Sequence, residues 1–300
     1  MNTTDQINGG PYDETYAAMY NSIWWDSDTW APEGKFHIET IANLLKPGGN
    51  WLDAGCGNGF FLSQFPETNR NGLDFSAAMI HEAKKVNKGV VFHQQSLTDE
   101  NEALNGQFNL VTCTGQPWSY LPTLDQIEIA VKNLASWTSD DGKCMLTPVD
   151  ISDFVPINFP VFHNMENVPN NYALVTGIHW TYKELDHVHH YCLSPMLDQW
   201  MRWFSKYFKK VEILRWPHEP KILTIPRRVI VCSEKRKEGD NSLTEFIMHP
   251  IPGSNDKQPA FFNPASNLTH KMLLHECFHR LKSGAFFKAI KRKIIYKIRY

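Results

Sequence analysis

Short apolar runs alternate with amphipathic stretches along the central part of the chain, from about residue 46 to residue 235. The short runs are typical of buried strands, and the stretches between them repeat their apolar residues at helical spacing. This alternation predicts a doubly wound α/β fold, in which a parallel sheet carries helices on both faces. The predicted strands lie at residues 50–54, 71–75, 90–93, 108–113 and 143–148, with a closing hairpin at 211–214 and 228–232.

The first 45 residues predict a helical unit in front of the sheet. Tyr12, Tyr16 and Tyr20 recur every four residues and therefore share one face of a helix, and Trp24 follows them. Two interpretations stay open. Either this helix packs its aromatic face on the core, or Tyr16, Tyr20 and Trp24 form a lid over a binding site. A second helix is predicted at residues 32–45, where a Pro-Gly-Gly sequence ends it.

Two later segments lack regular periodicity. Residues 150–190 mix aromatic residues with Pro and Asn, which favours an inserted lid, because long irregular segments in compact domains are usually functional or disordered. Residues 233–259 are polar and rich in Gly, Pro, Ser and Asn, and they predict a linker. We therefore divide the chain into a helical lid (1–45), a sheet domain (46–235) and a C-terminal extension (236–300).

The C-terminal extension ends in a basic amphipathic segment. From His270 to Tyr300 there are nine Lys and Arg residues and one acid, whereas the rest of the chain has a net charge of −10. The apolar residues of 284–300 share one helical face, with three basic side chains opposite it and three at its edges, a pattern typical of helices on anionic membranes. We predict peripheral contact with a membrane through 284–300. The alternative is that this helix packs on the protein.

The composition is that of a globular protein, with 42% hydrophobic and 21% charged residues. Six cysteines lie far apart without a C-x-x-C pair, which indicates reduced thiols in a cytoplasmic protein. No signal peptide is seen at the start of the chain, and no apolar run reaches the length of a membrane span. Four of the cysteines lie in apolar runs and are predicted to be buried: Cys113, Cys144, Cys192 and Cys232.

Three alternate glycines join the first predicted strand to a helix in the sequence Trp51-Leu52-Asp53-Ala54-Gly55-Cys56-Gly57-Asn58-Gly59. Glycines let the backbone turn sharply and let a ligand approach where a Cβ would interfere. The loop ends at a helix N-terminus, whose free N–H groups attract anionic groups. It therefore predicts a nucleotide-type cofactor site. A dinucleotide loop requires G-x-G-x-x-G, and Phe60 occupies the place of its last glycine.

This loop, the preceding Lys46-Pro47-Gly48-Gly49 and the acid Asp74 after the second strand closely resemble the first motifs of class I S-adenosylmethionine-dependent methyltransferases. The resemblance covers about residues 46–235, the later half by pattern only. It implies a mostly parallel seven-stranded sheet with a late antiparallel hairpin. It also implies S-adenosylmethionine as the cofactor and methyl transfer as the activity.

The resemblance further implies which residues bind the methionyl part of the cofactor and which residue binds its ribose. Asp53 is expected near the methionyl amine. Asp74 is expected to accept both ribose hydroxyls, as an acid does at this position in related open sheets, although a helix-capping acid is the alternative. The loop residues give backbone room beside the methionyl part: Gly55, Cys56, Gly57 and Gly59.

The adenine and the methyl group are expected to contact the ends of later strands. Phe75 and Met79 are predicted to pack on adenine. Many relatives place an acid for the adenine amine where this chain has a neutral sequence, so a Gln or Ser must make that contact: Gln95, Ser96 and Leu97. Thr114 and Gly115 follow the fourth strand and are expected to lie under the transferred methyl group.

Methyl transfer to an oxygen or amine usually also needs removal of a proton, for which His suits neutral pH. The candidate bases are His163 in the predicted lid and His179 before a strand. His187 and His189 would share a strand face, but no carboxylate or Cys lies at clear ligand spacing. We therefore predict no metal site, and each His also fits a structural role.

Two further motifs bear on whether the protein is a zinc protease or acts on nucleic acid. His275-Glu276-Cys277-Phe278-His279 matches the zinc-protease helix H-E-x-x-H, but a third ligand is required and no His, Asp, Glu or Cys follows it. We attribute this match to chance. Methylases of DNA bases carry Asn/Asp-Pro-Pro-Tyr/Phe where this chain has Gly115-Gln116-Pro117-Trp118. No basic catalytic face is apparent either, so we expect no nucleic-acid substrate.

The sequence therefore predicts a methyltransferase that acts on an oxygen or nitrogen of a small molecule or glycan. The alternative keeps the fold without catalysis, as a cofactor-binding regulatory or scaffold subunit. Release of methyl groups to an acceptor distinguishes the two, because a scaffold binds the cofactor without turnover.

Overall fold

The structure is a computed structural model that describes residues 12–26, 31–149, 173–176, 179–184, 187–215 and 228–250, with the backbone alone described from 173 to 191. The helices are α1 (Glu14–Ile23), α2 (Ala31–Leu44), α3 (Phe60–Ser63), α4 (Ala77–Val86), α5 (Leu124–Trp137) and α6 (Leu197–Ser205). The strands are β1 (Asn50–Ala54), β2 (Asn69–Asp74), β3 (Val91–Gln94), β4 (Phe108–Cys113), β5 (Thr138–Leu146), β6 (Ala173–Thr176), β7 (His179–Glu184), β8 (His187–Leu193), β9 (Phe208–Arg215), β10 (Arg228–Lys235) and β11 (Glu245–Met248).

The main sheet has the strand order β11-β9-β10-β5-β4-β1-β2-β3. Strands β1 to β5 run parallel to one another, and β10 runs antiparallel to both β5 and β9. The predicted doubly wound fold with a closing hairpin is therefore confirmed. From β1 the chain moves outward to β3 and then returns to β4 on the other side of β1. The order thus reverses between β1 and β4, the place where open α/β sheets bind ligands.

The sheet contains eight strands, one more than the resemblance implies. The additional strand, β11, pairs in parallel with β9. The prediction of a linker at residues 233–259 is therefore wrong for residues 245–248. Four residues are too few for a clear alternation of apolar and polar positions, and this strand is stabilised by pairing with β9 and by Met248, which packs against the core.

A second, smaller sheet lies within the segment that was predicted to be an inserted lid. Strands β6, β7 and β8 pair antiparallel in sequence order. The later part of residues 150–190 therefore contains regular strands, although its sequence shows little alternation of apolar and polar positions. His179 is the first residue of β7, and His187 is the first residue of β8.

The two faces of the main sheet each bury an apolar layer. In β1, Trp51 belongs to the same apolar cluster as Ile41 of α2, whereas the next residue, Leu52, belongs to the cluster that includes Leu134 of α5. Each fully buried side chain of this size contributes about 1.5–3 kcal/mol relative to exposure. The four cysteines predicted to be buried are buried free thiols: Cys113, Cys144, Cys192 and Cys232.

Several predictions fall outside the described residues. These are the candidate base His163, the H-E-x-x-H motif and the basic segment 284–300. Membrane contact and a cytoplasmic location therefore stay predictions. Within the described ranges, none of the helices is both long and apolar enough to cross a bilayer.

Candidate active site

The glycine loop lies where the strand order reverses, at the carboxyl end of β1. Gly55, Gly57 and Gly59 all have positive φ angles, of 78°, 53° and 76°. Glycine adopts this left-handed region without the steric penalty that a Cβ imposes. The loop turns sharply for this reason, and the N–H groups of Gly55 and Cys56 both donate to the carbonyl of Leu73 in β2, at 2.6 and 2.9 Å.

The three glycines differ in what surrounds them. A Cβ at Gly55 would lie 2.2 Å from Cγ of Pro117, and one at Gly59 would lie 2.4 Å from Nδ2 of Asn87. A Cβ at Gly57 would meet no atom within 4 Å. Gly55 and Gly59 are therefore required for packing within the protein, whereas Gly57 borders open space where a ligand can approach the backbone.

Replacing Gly55 by Ala is expected to destabilise the protein by about 2–4 kcal/mol, because overpacking against Pro117 adds to the backbone strain. Gly239 is the matched control, since it has the same φ of 78° and no atom within 4 Å of its Cβ position. Gly239→Ala should cost about 1 kcal/mol, from strain alone. Urea unfolding measures both values, and equal losses would contradict the role of the Pro117 contact.

Asp74 connects the end of β2 to the glycine loop. Its Oδ2 accepts the Gly57 N–H at 2.8 Å, and its Oδ1 accepts the Ser76 N–H at 2.9 Å. Helix α4 is capped by Ser76, whose Oγ accepts the Met79 N–H. Burial raises the pKa of the Asp74 carboxyl, and these backbone hydrogen bonds partly lower it. Each carboxylate oxygen has a second lone pair, so Asp74 can still accept ribose hydroxyls.

Asp53 occupies the end of β1 and is 1% exposed. Its Oδ1 accepts the hydroxyl of Thr112, its partner on β4, at 2.7 Å. Its Oδ2 is buried without a hydrogen-bond donor among the described residues. Burial raises the pKa of the Asp53 carboxyl to about 7, although the Thr112 bond lowers it, and the nearby charge of Asp74 raises it further. A cationic donor such as an ammonium group would satisfy this oxygen.

Helix α1 covers this end of the sheet. Tyr16 is 1% exposed and packs with Met79 of α4. Asn21 accepts a hydrogen bond from Nδ2 of the loop residue Asn58 at 2.9 Å, while Oδ1 of Asn58 is buried without a partner in the described part of the chain. The hydroxyl of Tyr20 lies 3.9 Å from the Cβ position at Gly115. The helix therefore packs on the core, as the first interpretation predicted, and it contacts the loops after β1 and β4. Its role as a lid over a binding site stays a prediction.

Three further aromatic residues, in α1 and at its two ends, are only partly buried: Tyr12, Tyr20 and Trp24. Trp24 donates from Nε1 to the hydroxyl of Tyr16 at 3.1 Å, and the ring of Tyr20 lies 6.3 Å from that of Trp24. Tyr12 shares a hydrogen bond of 2.9 Å with Tyr120, which follows β4. These contacts fix α1 between the ends of β2 and β4.

Beyond Asp74, the structure separates the residues that were predicted to contact adenine. Phe75 is 39% exposed and is available to a ligand. Met79 is buried against Tyr16 and Ala17, so its side chain faces helix α1. Leu97 belongs to the core, so only its backbone is available at this site.

The polar residues after β3 are partly engaged within the protein. Gln95 accepts from Asn101 through Oε1 at 2.8 Å, and its Nε2 is buried without a partner in the described ranges. The hydroxyl of Ser96 pairs with that of Thr98 at 2.9 Å. The Gln95 amide therefore retains hydrogen-bonding capacity for a ligand.

The loop after β4 completes the site. Thr114 is buried, and Gly115 has a φ of 68°. Pro117 packs on Gly55, and Trp118 donates from Nε1 to the Thr147 carbonyl at 3.1 Å. The loops that follow β1 and β4 are therefore packed together beneath α1.

The structure does not assign a general base. His163 lies outside the described residues, and the side chain of His179 is not among those described. His37 of α2, which the sequence analysis did not select, is fully buried with Nε2 at 3.0 Å from the Thr147 hydroxyl. Thr112 was also missed, because its contact with Asp53 follows only from the pairing of β1 with β4. Asn58 was missed although it lies between two glycines of the motif.

Comparison with known proteins agrees with this geometry. Residues 34–207 match a family model described as a methyltransferase domain. A dTDP-4-amino-2,3,4,6-tetradeoxy-D-glucose N,N-dimethyltransferase from Saccharopolyspora spinosa is 24% identical over 147 residues. That alignment covers 48% of this chain and 57% of the relative, so the chain spans little more than half the length of this curated relative.

Solved structures share the fold. An S-adenosylmethionine-dependent methyltransferase from Clostridium acetobutylicum is 14% identical with a TM-score of 0.52, covering 73% of this chain and 97% of that one. A second one, from Thermotoga maritima and described as a possible histamine N-methyltransferase, is 16% identical with a TM-score of 0.50, covering 75% and 98%. At these identities the likeness shows the fold.

Proposed function

The chain belongs to the methyltransferase-domain family, and we propose that it transfers a methyl group from S-adenosylmethionine to an amino group of a small sugar. The observation that carries this proposal is the open space at Gly57, in a loop that follows the buried Asp53 along the chain and is hydrogen-bonded to the Asp74 carboxylate. Asp53 offers one oxygen without a donor, and Asp74 offers free lone pairs beside the glycine loop.

These groups fit the chemical parts of the cofactor. The ammonium of its methionyl part can donate to Oδ2 of Asp53, and its ribose hydroxyls can donate to Asp74. The exposed ring of Phe75 can pack on adenine. A dinucleotide is disfavoured because Phe60 stands where its loop requires the last glycine.

When bound, the cofactor supplies a methyl group activated by the sulfonium sulfur. The contribution of this chain is positioning and exclusion of water. The glycine loop and Asp74 fix one reactant, and helix α1 covers the ends of the strands. Holding two reactants in a near-attack geometry removes much of the entropic part of the barrier.

A nitrogen acceptor on a sugar is supported by the Saccharopolyspora spinosa relative, whose name states N,N-dimethylation of a dTDP-linked amino sugar. The loop after β4 offers a neutral carboxamide, Gln116, and no acid or base of its own. Membrane contact through residues 284–300 stays a separate prediction that this proposal does not require.

Gly57→Ala tests the cofactor site directly. The new Cβ would enter the open space, so we expect the Kd of S-adenosylhomocysteine to rise about 10- to 100-fold in calorimetry. Gly89 is the matched control, because it also has a positive φ, 76°, and an empty Cβ position. Gly89→Ala should cost similar stability and leave binding unchanged.

Methyl transfer itself is tested with methyl-labelled cofactor and a dTDP-linked 4-amino sugar. Incorporation that Gly57→Ala reduces and Gly89→Ala preserves supports the proposal. Binding of S-adenosylhomocysteine without methyl transfer to any amino sugar or other amine would refute the proposed activity. Absence of cofactor binding by the wild-type protein would refute the site as well.

A further inference from the structure

An open cleft lies at the end of the sheet opposite to the glycine loop. It has a volume of about 660 Å³ and lies between the ends of α5 and α6, the residues before β4 and the turn after β10. The six residues of β4 alone separate the two ends of the sheet by about 17 Å. We call this site the basic cleft, because four cationic side chains line it: Lys206, Lys235, Arg236 and Lys237.

The turn that forms one wall of the basic cleft is held by Arg236. Its Nε donates to the Ser205 carbonyl at 2.9 Å, and its Nη2 donates to the Thr244 hydroxyl at 2.7 Å. Its Nη1 lies 3.5 Å from the Asp240 carboxylate. The guanidinium of Arg236 is therefore used within the protein, where it fixes the shape of the wall.

Lys235 and Lys237 differ from Arg236, because neither makes an ion pair within the described ranges. Nζ of Lys235 donates to the carbonyls of Ser136 and Thr138, at 3.2 and 2.5 Å, which leaves one N–H of the ammonium group for another acceptor. Burial lowers the pKa of Lys235, although the nearby charge of Asp140 raises it. An anion in the cleft would favour the charged form of this side chain.

The other lining residues also favour an anionic ligand. Tyr207 is partly buried and contributes a hydroxyl and an aromatic ring. Lys206 is paired with Glu128. Of the two acids that line the cleft, Asp240 accepts a backbone N–H within the turn, and Glu238 is exposed. The basic cleft is therefore a concave surface with more cations than acids, on a chain whose net charge before residue 270 is −10.

We propose that the basic cleft binds a phosphorylated small molecule, whose phosphate pairs with the ammonium groups of Lys235 and Lys237. A phosphate monoester carries about two negative charges and three acceptor oxygens, so it can pair with both ammonium groups and accept the Tyr207 hydroxyl. A carboxylate has one charge and two oxygens. The volume of the cleft lies within the range of small-molecule sites. This second site is independent of the proposed methyl transfer.

Calorimetric titration of the full chain with inorganic pyrophosphate, at constant ionic strength, tests this proposal. We expect the wild-type protein to bind pyrophosphate with a Kd of about 0.1–1 mM and to bind citrate about 10-fold more weakly. Lys235→Met should raise the Kd of pyrophosphate about 10-fold, and Lys237→Met about 3- to 10-fold, because each removes a charge-assisted hydrogen bond. Since Lys237 is exposed, Lys237→Met tests the site even if Lys235→Met fails to fold.

Lys84→Met is the matched control, because it removes the same charge from an exposed lysine in the last turn of α4. It should leave the Kd of pyrophosphate unchanged, and urea unfolding shows which variants are folded. Pyrophosphate bound by the basic segment 284–300 would be the same in every variant. Equal affinity in all folded proteins would therefore overturn the proposal, and Lys235 would then only cap α5.

Two further outcomes would also contradict the basic cleft as a phosphate site. One is failure of the wild-type protein to bind pyrophosphate at millimolar concentration, and the other is binding of citrate as tightly as pyrophosphate. Neither outcome affects the proposed methyl transfer, which binding of S-adenosylhomocysteine tests separately.

Discussion

Replacing Asp74 by Ala is expected to weaken binding of S-adenosylhomocysteine about 100- to 1000-fold. The two oxygens of Asp74 already accept the N–H groups of Gly57 and Ser76, and each has a further lone pair that can accept a ribose hydroxyl. The substitution removes two charge-assisted hydrogen bonds to ribose, each worth about 1.5–3 kcal/mol, and it also frees the Gly57 N–H. Calorimetry at pH 8 measures the change.

Asp240→Ala is the matched control for Asp74→Ala. It shows how much is lost when only the hydrogen bond within the turn is removed and no proposed cofactor contact is affected. Asp240 accepts the N–H of Ser242 two residues later, at 3.0 Å, in the same arrangement that joins Asp74 to Ser76. It lies between β10 and β11, away from the glycine loop. We expect Asp240→Ala to lower stability without affecting cofactor binding. If Asp74→Ala retains wild-type affinity, Asp74 only orders the loop.

The sequence was informative where structure is determined locally. Gly55, Gly57 and Gly59 lie within five residues, and their spacing alone excluded a dinucleotide loop. Asp74 was found because an acid after the second of two parallel strands lies beside the loop that follows the first. Parallel pairing brings the two together, and the Gly57–Asp74 hydrogen bond is its consequence.

The sequence was less informative where a contact depends on register or on backbone conformation. Thr112 lies opposite Asp53 because β4 pairs with β1 in one register, which no local pattern specifies. Gln116 has a left-handed backbone that its residue type does not indicate. Strand β11 depends on the edge of β9, so its four residues resembled a linker. These three features are all consequences of tertiary packing.

Replacing Asp53 by Asn is expected to stabilise the cofactor-free protein at pH 8 and to weaken cofactor binding at least 100-fold. The pKa of the buried carboxyl is about 7, against an ordinary value of 3.8. The folded state therefore keeps a proton that the unfolded chain releases as the pH rises from about 4 to 7. Stability falls across this window, by at most about 4 kcal/mol from this group. Asn at this position has no proton to lose.

The measurement is urea unfolding of wild type and Asp53→Asn at pH 5 and pH 8, with and without S-adenosylhomocysteine. The stability difference between the two proteins should favour the variant more at pH 8 than at pH 5, since Asp74 and all other groups titrate in both. Saturating ligand should restore the wild-type protein at pH 8, because its ammonium pairs with the ionised carboxylate. Wild-type affinity should rise with pH through 7, whereas that of the variant should stay low. If both proteins lose stability equally from pH 5 to pH 8, the buried Asp53 carboxylate is not the source of the pH dependence.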